Sequence, residues 1–422
     1  MIKNPYKDVS SLLGDDNNHY KTNLHTHSTI SDANEDYDKM IKGHYDRDYD
    51  ILGFADHGVI GKEWNKEPTK LPLYRYQKLT GNTVTKLTDE EYRGILNGSY
   101  GSQTRTKTRG MQCVTGGIEL NMLTLTKSHV NGYFCDFGEG NLGFENGFEY
   151  AVKGVDKAGG ISVINHPGDW LGSARDYSKA TAPENVRLFG DIFNRYPSCA
   201  GMEVLNENDS PTRADRILWD ALLQYVIPRG KRNVWGFANS DAHDIAHIDT
   251  SFMDFIMPEY STENVKDCME NGKFFAIGRR ARPELGDDFA GTGAYPAVTA
   301  IDVDEENEMI TVTGKNTDKI QWIANGGIIK ESSDMNEDGT VTSVIRLREH
   351  SDKITCYVRF QLLGSGGICI AQPFVIDNGN MSGYIINDTR SDARKAFDRF
   401  VYGVKSLRAY VIVQEIARAI KK

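Results

Sequence analysis

Between about residues 20 and 278 the chain alternates short apolar runs with amphipathic stretches, and this alternation constrains its fold more than any other feature. Apolar runs of this length are typical of strands buried on both faces. In the stretches between them, apolar residues have the spacing of amphipathic helices. Strands that alternate with helices form α/β folds around a parallel sheet. The predicted strands are residues 21–24, 51–55, 114–120, 161–165, 201–205 and 234–239.

The amphipathic stretches between these runs predict helices. Ser210 is a capping residue, and Pro211 would follow it at the first helical position. Ser261 or Thr262 opens a further helix that Gly272 closes. The other predicted helices are residues 33–46, 148–158 and 211–226.

Ionisable side chains follow or end five of the apolar runs. The carboxyl ends of the strands in a β/α barrel converge on one mouth, so residues far apart in sequence meet there. Taken singly, each histidine would more often be a capping or core residue, but such residues have no reason to collect at strand ends. The motifs are NLHTHS (23–28), FADHG (54–58), GGIEL (116–120), INHPG (164–168) and NSDAH (239–243).

The spacing within two of these motifs favours a metal site. His25 and His27 are two residues apart, so on an extended segment both imidazoles point to the same side. Asp241 and His243 repeat that spacing, and Glu119 adds a carboxylate that can bridge two ions. Mixed nitrogen and oxygen ligands suit zinc, manganese or iron.

Composition narrows the function classes. Of the 422 residues, 26% are charged and 39% hydrophobic, which is typical of a globular protein. The formal charge of −10 disfavours long nucleic acids and anionic membranes as partners. The N-terminus lacks the apolar segment of a signal peptide, and no stretch approaches the roughly 18 apolar residues of a spanning helix. We therefore expect a cytoplasmic protein with a small-molecule substrate and no membrane partner, whose oligomeric state the sequence does not indicate.

Three other parts of the chain have different sequence patterns. Residues 62–112 are polar and basic without periodicity, which predicts a long inserted loop in a first domain of residues 1–282. Turn residues between alternating strands predict a small β-sandwich over 283–388, with a hairpin turn at 325–327. Helical spacing over 389–422 predicts an amphipathic helix packed on the body, with membrane attachment as the alternative.

Together the five motifs resemble the PHP (polymerase and histidinol phosphatase) metallohydrolases, over roughly residues 20–278. The resemblance implies an α/β fold with a distorted, seven-stranded (β/α)7 TIM-like barrel, followed here by the β-sandwich and the C-terminal helix. In that family nine side chains hold up to three metal ions. Their counterparts here are His25, His27, Asp32, His57, Glu119, His129, His166, Asp241 and His243.

The resemblance also implies how the ligands are shared. One ion would take His25, His27, Glu119 and Asp241, a second Glu119, His129 and His166, and a third Asp32, His57 and His243. Asp32 departs from members that have histidine there, and His129 is predicted in a loop before a GlyTyrPhe segment. A trinuclear centre of two to three zinc, manganese or iron ions is therefore expected.

Such a centre implies a phosphoesterase that acts on a small phosphomonoester or a nucleotide-like phosphate. Bound divalent ions lower the pKa of a bridging water and neutralise phosphoryl charge. Asp241 or His243 would pass a proton to the leaving group beside the bridging Glu119. Phosphate oxygens also favour arginine partners, and the sequence offers Arg105, Arg109, Arg279 and Arg280, although charge runs are often solvated.

Two other functions remain open from the sequence. Hydrolysis of a carboxylic ester, amide or carbamate would use the same ions and would be favoured by a mouth poor in arginine. A less characterised branch of the family, which has an appended β domain, includes suspected carbamate and phosphoester hydrolases. A non-catalytic binding module would be favoured by missing ligands, and here none is missing.

Overall fold

The computed structural model describes residues 1–70, 84–121, 128–138, 147–173, 176–207, 209, 212–377, 379, 381, 383, 388 and 390–405. The strands are β1 (Ile2–Lys3), β2 (His19–Asn23), β3 (Ile51–Gly53), β4 (Val59–Ile60), β5 (Thr69–Lys70), β6 (Gln112–Val114), β7 (Ile118–Asn121), β8 (His129–Tyr133), β9 (Ile161–Ile164), β10 (Cys199–Asn206), β11 (Trp235–Asn239), β12 (Ser251–Ile256), β13 (Phe274–Gly278), β14 (Ala297–Asp304), β15 (Met309–Lys315), β16 (Lys319–Ala324), β17 (Gly327–Ser332), β18 (Val341–Arg346), β19 (Tyr357–Gly364), β20 (Gly367–Ile370) and β21 (Phe374–Ile376). The α-helices are α1 (Tyr37–Tyr45), α2 (Asp89–Asn97), α3 (Gly147–Lys157), α4 (Pro167–Leu171), α5 (Pro183–Arg195), α6 (Asp215–Gly230), α7 (Thr262–Asn271), α8 (Arg282–Leu285) and α9 (Asp392–Lys405).

Two sheets carry the strands of the N-terminal region. The larger has the order β1-β21-β19-β20-β13-β12-β2-β3-β6, with β16 on β19 and β17 on β16. The smaller has the order β11-β10-β9-β8-β7. In it, β9, β10 and β11 are parallel, whereas β8 is antiparallel to both β7 and β9. The protein is therefore a mixed α/β protein.

The described strands do not form a closed barrel. At one seam between the sheets, His57 and Glu119 form an isolated bridge, and the Glu119 N–H donates to the Ala55 carbonyl at 3.1 Å. At the other seam Thr26 bridges Ala242, and the Asp241 N–H donates to the His25 carbonyl at 3.0 Å. Both seams lie beyond the carboxyl ends of β2, β3 and β11, so the sheets meet where the ionisable motifs lie.

Most predicted elements of this region are present within a few residues. β2, β3, β9, β10 and β11 confirm five of the six predicted strands, and α1 and α3 confirm two helices. The Ser261 hydroxyl accepts from the Asn264 N–H at 3.0 Å at the start of α7, and Gly272 ends that helix with φ +69°. These cap residues therefore fix the helix as predicted.

Other elements correct the prediction. The strand predicted at 114–120 is two strands, β6 in the larger sheet and β7 in the smaller, because Gly116 turns the chain between them with φ +79°. His129 begins β8 rather than lying in a loop. Helix α6 begins at Asp215, and Ser210 and Pro211 lie outside the described residues. The spacing of apolar residues in the sequence also does not predict strand β12 or helix α5.

The segment predicted as a loop at 62–112 contains a helix. The Thr88 hydroxyl accepts from the Glu91 N–H at 3.2 Å, and the Glu91 carboxylate accepts from the Thr88 N–H at 2.9 Å. This reciprocal capping box starts α2, and Gly98 ends it with φ +80°. Strand β5 of the segment pairs with β4, and residues 71–83 lie outside the described part.

A C-terminal β region is present, and its strands continue the larger sheet. β20 pairs with β13 through Ile277 and Cys369, so a ladder crosses the predicted boundary at residue 283. The separate sheet β14-β15-β18 packs on this region, where the Trp322 indole donates to the Ser343 hydroxyl at 2.8 Å. The predicted hairpin turn is confirmed between β16 and β17, where Asn325 and Gly326 have φ of 52° and 77°.

The described part of the tail contains α9. Phe397 and Phe400 on this helix are 57% and 68% exposed, so these two side chains are not packed on the body. Residues 406–422 of the predicted helix lie outside the described part. None of the described helices is both long and apolar enough to cross a membrane.

Candidate metal centre

The nine predicted ligands lie at the strand ends where the two sheets meet. Each is placed by a short turn directly after a strand or by a strand itself, so their positions depend on the sheets rather than on long loops. His25, His27 and Asp32 follow β2, His57 follows β3, Glu119 lies in β7, His129 begins β8, His166 follows β9, and Asp241 and His243 follow β11.

Glu119 is the centre of this cluster. Its carboxylate is buried, with 1% of the residue exposed. Each of its oxygens faces more than one imidazole, which is the arrangement of a carboxylate that bridges two ions. Oε1 lies 3.4 Å from His25 Nε2, 3.0 Å from His129 Nδ1 and 3.2 Å from His166 Nε2, and Oε2 lies 3.3 Å from both His27 Nε2 and His57 Nε2.

The hydrogen bonds behind His25 and His27 fix their tautomers. His25 Nδ1 lies 2.8 Å from the Glu203 carboxylate, which can only accept, so Nδ1 carries the hydrogen. The Ser31 hydroxyl donates to Asp56 at 2.5 Å and therefore accepts from His27 Nδ1 at 3.2 Å. In the neutral rings both Nε2 atoms are then lone-pair donors, and they lie 3.2 Å apart. Two lone pairs at this distance repel unless a cation or a proton lies between them.

Asp241 completes the first group of ligands. Its Oδ1 lies 3.2 Å from His25 Nε2 and 3.0 Å from His27 Nε2, yet among the described residues this buried oxygen makes no hydrogen bond of acceptable geometry. His129 Nδ1 is a second such atom, although it lies 3.0 Å from Glu119. Buried polar atoms without hydrogen bonds are rare. Asp241 and His129 belong to two different groups of close ligand atoms, and Glu119 is in both groups.

The remaining ligands form an outer group at the rim. Asp32 lies 3.7 Å from His27 Nδ1, 3.7 Å from His57 Nε2 and 3.5 Å from His243 Nε2. Its side chain is 46% exposed and that of His243 is 30% exposed, whereas His25 and His27 are fully buried. The centre therefore has a buried floor and an accessible rim.

Three sets of ligand atoms are each close enough together to hold an ion. The first is the set that the family resemblance implies. The other two place His57 with Asp32 and His27, and with Glu119 and His129, so His57 lies between the outer and the inner groups. The sets, each within 4.8 Å, are His25, His27, Glu119 and Asp241; His27, Asp32 and His57; and His57, Glu119 and His129.

The backbone is strained at two of the ligands. His166 has φ 26° and Asp241 has φ 48°, values that non-glycine residues rarely adopt. A conformation of this kind costs on the order of 1–3 kcal/mol and persists where the surroundings require it. At both positions the unusual turn directs a ligand side chain toward Glu119.

Opposite charges hold the ionised carboxylates and the imidazoles together. Burial raises the pKa of Glu119, but the imidazoles of His129 and His25 outweigh it and hold this pKa well below its usual range. Burial lowers the pKa of His129 more than the Glu119 carboxylate raises it. Burial also acts to lower the pKa of His166, but Glu119 and Asp241 raise it to about 9. The carboxylates thus attract positive charge into the cluster.

These observations fit a site for divalent cations. Among the described residues no lysine or arginine lies in the close contacts of these buried carboxylates, and a bound cation would satisfy both the facing Nε2 atoms and the Asp241 oxygen that lacks a hydrogen bond. Three His/Asp/Glu sets match the mixed ligands of zinc, manganese or iron. The donor atoms do not distinguish among these metals or fix their number.

The predicted phosphate-binding arginines have other partners. Arg105 donates to the carbonyls of Tyr45, Tyr49 and Arg109, and Arg109 donates to Asp50 at 2.7 Å and to the carbonyls of Asn17 and His19. Both lie at the amino ends of β2 and β3, whereas the ligands lie beyond the carboxyl ends. These contacts do not place either side chain in the cluster, and their binding to substrate stays a prediction.

Arg279 and Arg280 directly follow the neighbouring strand β13. Arg279 donates to the carbonyls of Gly293 and Gly366 and lies 3.3 Å from Asp249, so its guanidinium is held by internal partners. These contacts do not place it in the cluster. Arg280 is half-buried beside it, and its binding to substrate stays a prediction.

The sequence prediction misses several polar residues that support the ligands. Glu203 lies inside β10, Asp56 precedes His57, and the Asn165 amide donates to Glu119 at 2.8 Å. Trp170 of α4 lies against the rings of His129 and His166, with centroids 4.6 and 6.0 Å apart. A signal was present for Glu203, since a carboxylate in the middle of an apolar strand needs a buried partner.

Comparisons with known proteins give similarity of fold at low sequence identity. No family model and no curated protein matches the chain. Among solved structures, a two-domain protein from Bacteroides vulgatus that contains a predicted PHP-like metal-dependent phosphoesterase matches 85% of this chain and 94% of its own, with 15% identity and a TM-score of 0.42.

A lesion-specific endonuclease from Pyrococcus furiosus matches 63% of this chain with 12% identity and a TM-score of 0.35. This chain spans about 60% of the length of that endonuclease. At these identities and TM-scores neither similarity assigns an activity to the chain. The function proposed below therefore depends on the residues of the cluster.

Proposed function

We propose that the protein is a metal-dependent phosphoesterase that hydrolyses a small phosphomonoester or a nucleotide-like phosphate. The observation that carries this proposal is the buried Glu119 carboxylate, which faces five imidazoles with its two oxygens. Imidazoles and carboxylates that converge in this way are the ligands of multinuclear hydrolase centres. We also propose that the two sheets are the halves of a distorted seven-stranded barrel built from β2, β3, β7, β8, β9, β10 and β11.

The residues of the buried floor and those of the exposed rim would have different roles. Divalent ions held here would lower the pKa of a water molecule and neutralise charge on a phosphoryl oxygen. His25, His27 and Asp241 form the buried floor, which excludes bulk water and keeps these groups in place. Asp32 and His243 form the rim, where a substrate enters.

His243 is the group best placed to assist the leaving group. Its Nδ1 donates to the carbonyl of Asp241, two residues earlier, at 2.8 Å, which leaves Nε2 at the exposed rim. The ring is 30% exposed, so it reaches a bound substrate, and Asp32 lies 3.5 Å from its Nε2. We assign His243 to hold or pass a proton at Nε2, with Asp241 as the alternative donor.

One observation favours a second candidate function, hydrolysis of a carboxylic ester, amide or carbamate. Arg105, Arg109 and Arg279 are held by internal partners, so these side chains do not supply phosphate oxygens with cationic donors. A carbonyl substrate needs fewer such donors, because less negative charge develops on it. The multinuclear ligand set suits either substrate. We rank this function second because the family resemblance favours a phosphoesterase.

A substrate panel separates the two functions. Protein loaded with manganese, zinc or iron is assayed on p-nitrophenyl phosphate, nucleoside monophosphates, p-nitrophenyl acetate and simple carbamates, with Glu119→Gln as the matched control. The proposal predicts turnover of phosphate esters by the wild type and loss of at least about 1,000-fold in the variant.

Turnover of only the carboxylic esters or carbamates would contradict the phosphoesterase and support the second function. Loaded protein that turns over neither class would support the non-catalytic binding module. Equal activity of Glu119→Gln and wild type would place the reaction outside this cluster.

A further inference from the structure

Glu203 lies in β10, directly behind the metal cluster, and belongs to none of the predicted ligand sets. The residue has no exposed surface. Its Oε1 accepts from His25 Nδ1 at 2.8 Å and from the Asn239 amide at 3.0 Å. Its Oε2 accepts from the Asn206 amide at 2.9 Å and from the His166 N–H at 3.3 Å. One buried carboxylate therefore connects residues at the carboxyl ends of β2, β9, β10 and β11.

Three of these four contacts lead to proposed ligands. The bond to His25 Nδ1 directs Nε2 of the same ring at the cluster. The bond to the His166 N–H holds a residue whose backbone has φ 26°. The Asn206 amide that donates to Glu203 also lies 3.4 Å from Asp241 Oδ2. Glu203 thus contacts two ligands directly and a third through one amide.

The chemistry of these contacts requires a carboxylate. All four partners are donors, and an ionised carboxylate is the one common side chain that accepts at both ends and donates at neither. A glutamine would direct its amide group at two of these donors. Burial of an ionised carboxylate is costly unless it is paired and hydrogen-bonded. The charge next to His25 makes that ring a stronger ligand for a cation.

We propose that Glu203 is the positioning residue of the metal centre, which holds His25 as an Nε2 ligand and aligns His166 and Asp241 toward the same ions. This inference rests on the proposed function, since it requires that the cluster binds metal. It adds a residue that acts through the ligands and touches neither metal nor substrate.

The chain contains a matched pair that serves as a control. His19 Nδ1 lies 2.7 Å from the Asp254 carboxylate, and both residues are buried. Here the second nitrogen, Nε2, bonds to the Leu13 carbonyl at 3.1 Å instead of facing other imidazoles. The two pairs have the same carboxylate–imidazole geometry, but only the pair of Glu203 and His25 faces the cluster.

The test measures metal affinity by competition with a chromophoric chelator, using zinc or manganese, in the full chain and in its Glu203→Gln and Asp254→Asn variants. Thermal unfolding of the metal-free proteins is recorded beside it. We expect Glu203→Gln to weaken metal binding by about 10- to 100-fold. Asp254→Asn should lower the unfolding temperature and leave metal affinity within about twofold, since it is far from the ligands.

A double variant shows whether Glu203 acts through His25. In a His25→Ala background, Glu203→Gln should reduce the affinity by a much smaller factor than it does in the wild type. If Glu203→Gln does not fold, Glu203→Asp replaces it. This substitution keeps the charge but withdraws the carboxylate from Nδ1, and we expect a loss of about 10-fold.

Unchanged affinity in Glu203→Gln or Glu203→Asp would overturn the inference while leaving the metal centre in place. An equal loss of affinity in Asp254→Asn would also overturn it, because the effect would then follow from stability. Wild-type protein that binds no metal would contradict the proposed function itself. The variants therefore test the inference, whereas metal binding by the wild-type protein tests the proposed function.

Discussion

Both ends of strands β2 and β3 are rich in buried charged side chains, but the partners of these side chains differ between the two ends. At the amino ends, Asp50 accepts from Arg109 Nε at 2.7 Å, from the Lys21 N–H at 2.8 Å and from Lys107. Lys21 in turn pairs with Asp249 at 2.5 Å. Every one of these charges has an opposite partner within the protein.

At the carboxyl ends the buried carboxylates have imidazoles as their partners. Glu119 and Asp241 face imidazoles rather than lysine or arginine in their close contacts, two Nε2 atoms face each other, and Asp241 Oδ1 makes no hydrogen bond among the described residues. The amino end is a self-sufficient ionic network that stabilises the fold. The carboxyl end brings His, Asp and Glu side chains close enough together to hold an ion, and this difference marks it as the candidate functional site.

Asp241→Asn should produce the largest effect, because it removes a charge from the incomplete end. We expect kcat/KM on the phosphate ester to fall by at least about 1,000-fold, or about 4 kcal/mol, with loss of bound metal. The metal-free variant should be less stable than metal-free wild type, because the imidazoles of His25 and His27 hold the pKa of Asp241 well below its usual range and the ionised carboxylate therefore stabilises the fold. Activity within tenfold of wild type would remove Asp241 from the centre.

The His19 and Asp254 pair at the amino end should make stability depend on pH. Burial acts to lower the pKa of His19, but Asp254 raises it from 6.5 to about 9. Because the folded pKa exceeds the unfolded one, the protonated ring stabilises the fold fully below pH 6.5, and this contribution is lost as the pH rises through 9. Up to about 3 kcal/mol of unfolding free energy should be lost over this range.

Urea unfolding of wild type and His19→Gln at pH 6 and pH 9.5 checks this contribution. The difference in unfolding free energy between the two proteins should shrink at the higher pH. A difference that is independent of pH would show that His19 contributes by packing alone.

Arg109→Met breaks the amino-end network at one partner. Asp50 is then left with Lys107 and the Lys21 N–H, so we expect a loss of about 2 kcal/mol of unfolding free energy. Metal content should not change, because the cluster lies at the other end of the strands. If kcat/KM fell tenfold in a stably folded, metal-loaded variant, Arg109 would instead bind substrate, as the sequence prediction had it.

Arg279→Met should have the smallest effect. Its guanidinium holds the carbonyls of Gly293 and Gly366, and the side chain is 17% exposed, so the loss should be about 1 kcal/mol of unfolding free energy. We expect kcat/KM to change by less than about twofold. A tenfold rise in KM for a phosphate ester, with kcat retained, would restore Arg279 as a phosphate-binding residue.

The sequence predicts the carboxyl end better than the amino end for a physical reason. His25, Glu119 and Asp241 lie at or next to apolar runs, and strand polarity alone brings such residues to one edge. Arg109 lies in a segment without periodicity, and nothing in its sequence tells which end of a strand it reaches. Its contacts with Asp50 and His19 depend on tertiary structure.

The same limit explains the other differences. Gly116 moves the chain from one sheet to the other, which a single apolar run at 114–120 does not reveal. Glu203 interrupts the apolar pattern of a strand, and three of its four partners, His25, His166 and Asn239, come from segments far away in sequence. The ligands are predictable from the sequence because they lie at strand ends. The contacts of Glu203, which orients them, depend on tertiary structure and are not predictable in this way.

The most direct test of the metal centre is the metal content of protein purified without chelator, measured by mass spectrometry in wild type and Glu119→Gln. Glu119 faces all the buried imidazoles of the cluster, so its loss should affect more than one ion. We predict about two to three equivalents of zinc, manganese or iron in the wild type and less than about one in the variant. Wild-type protein that stays free of metal after incubation with all three ions would contradict the account.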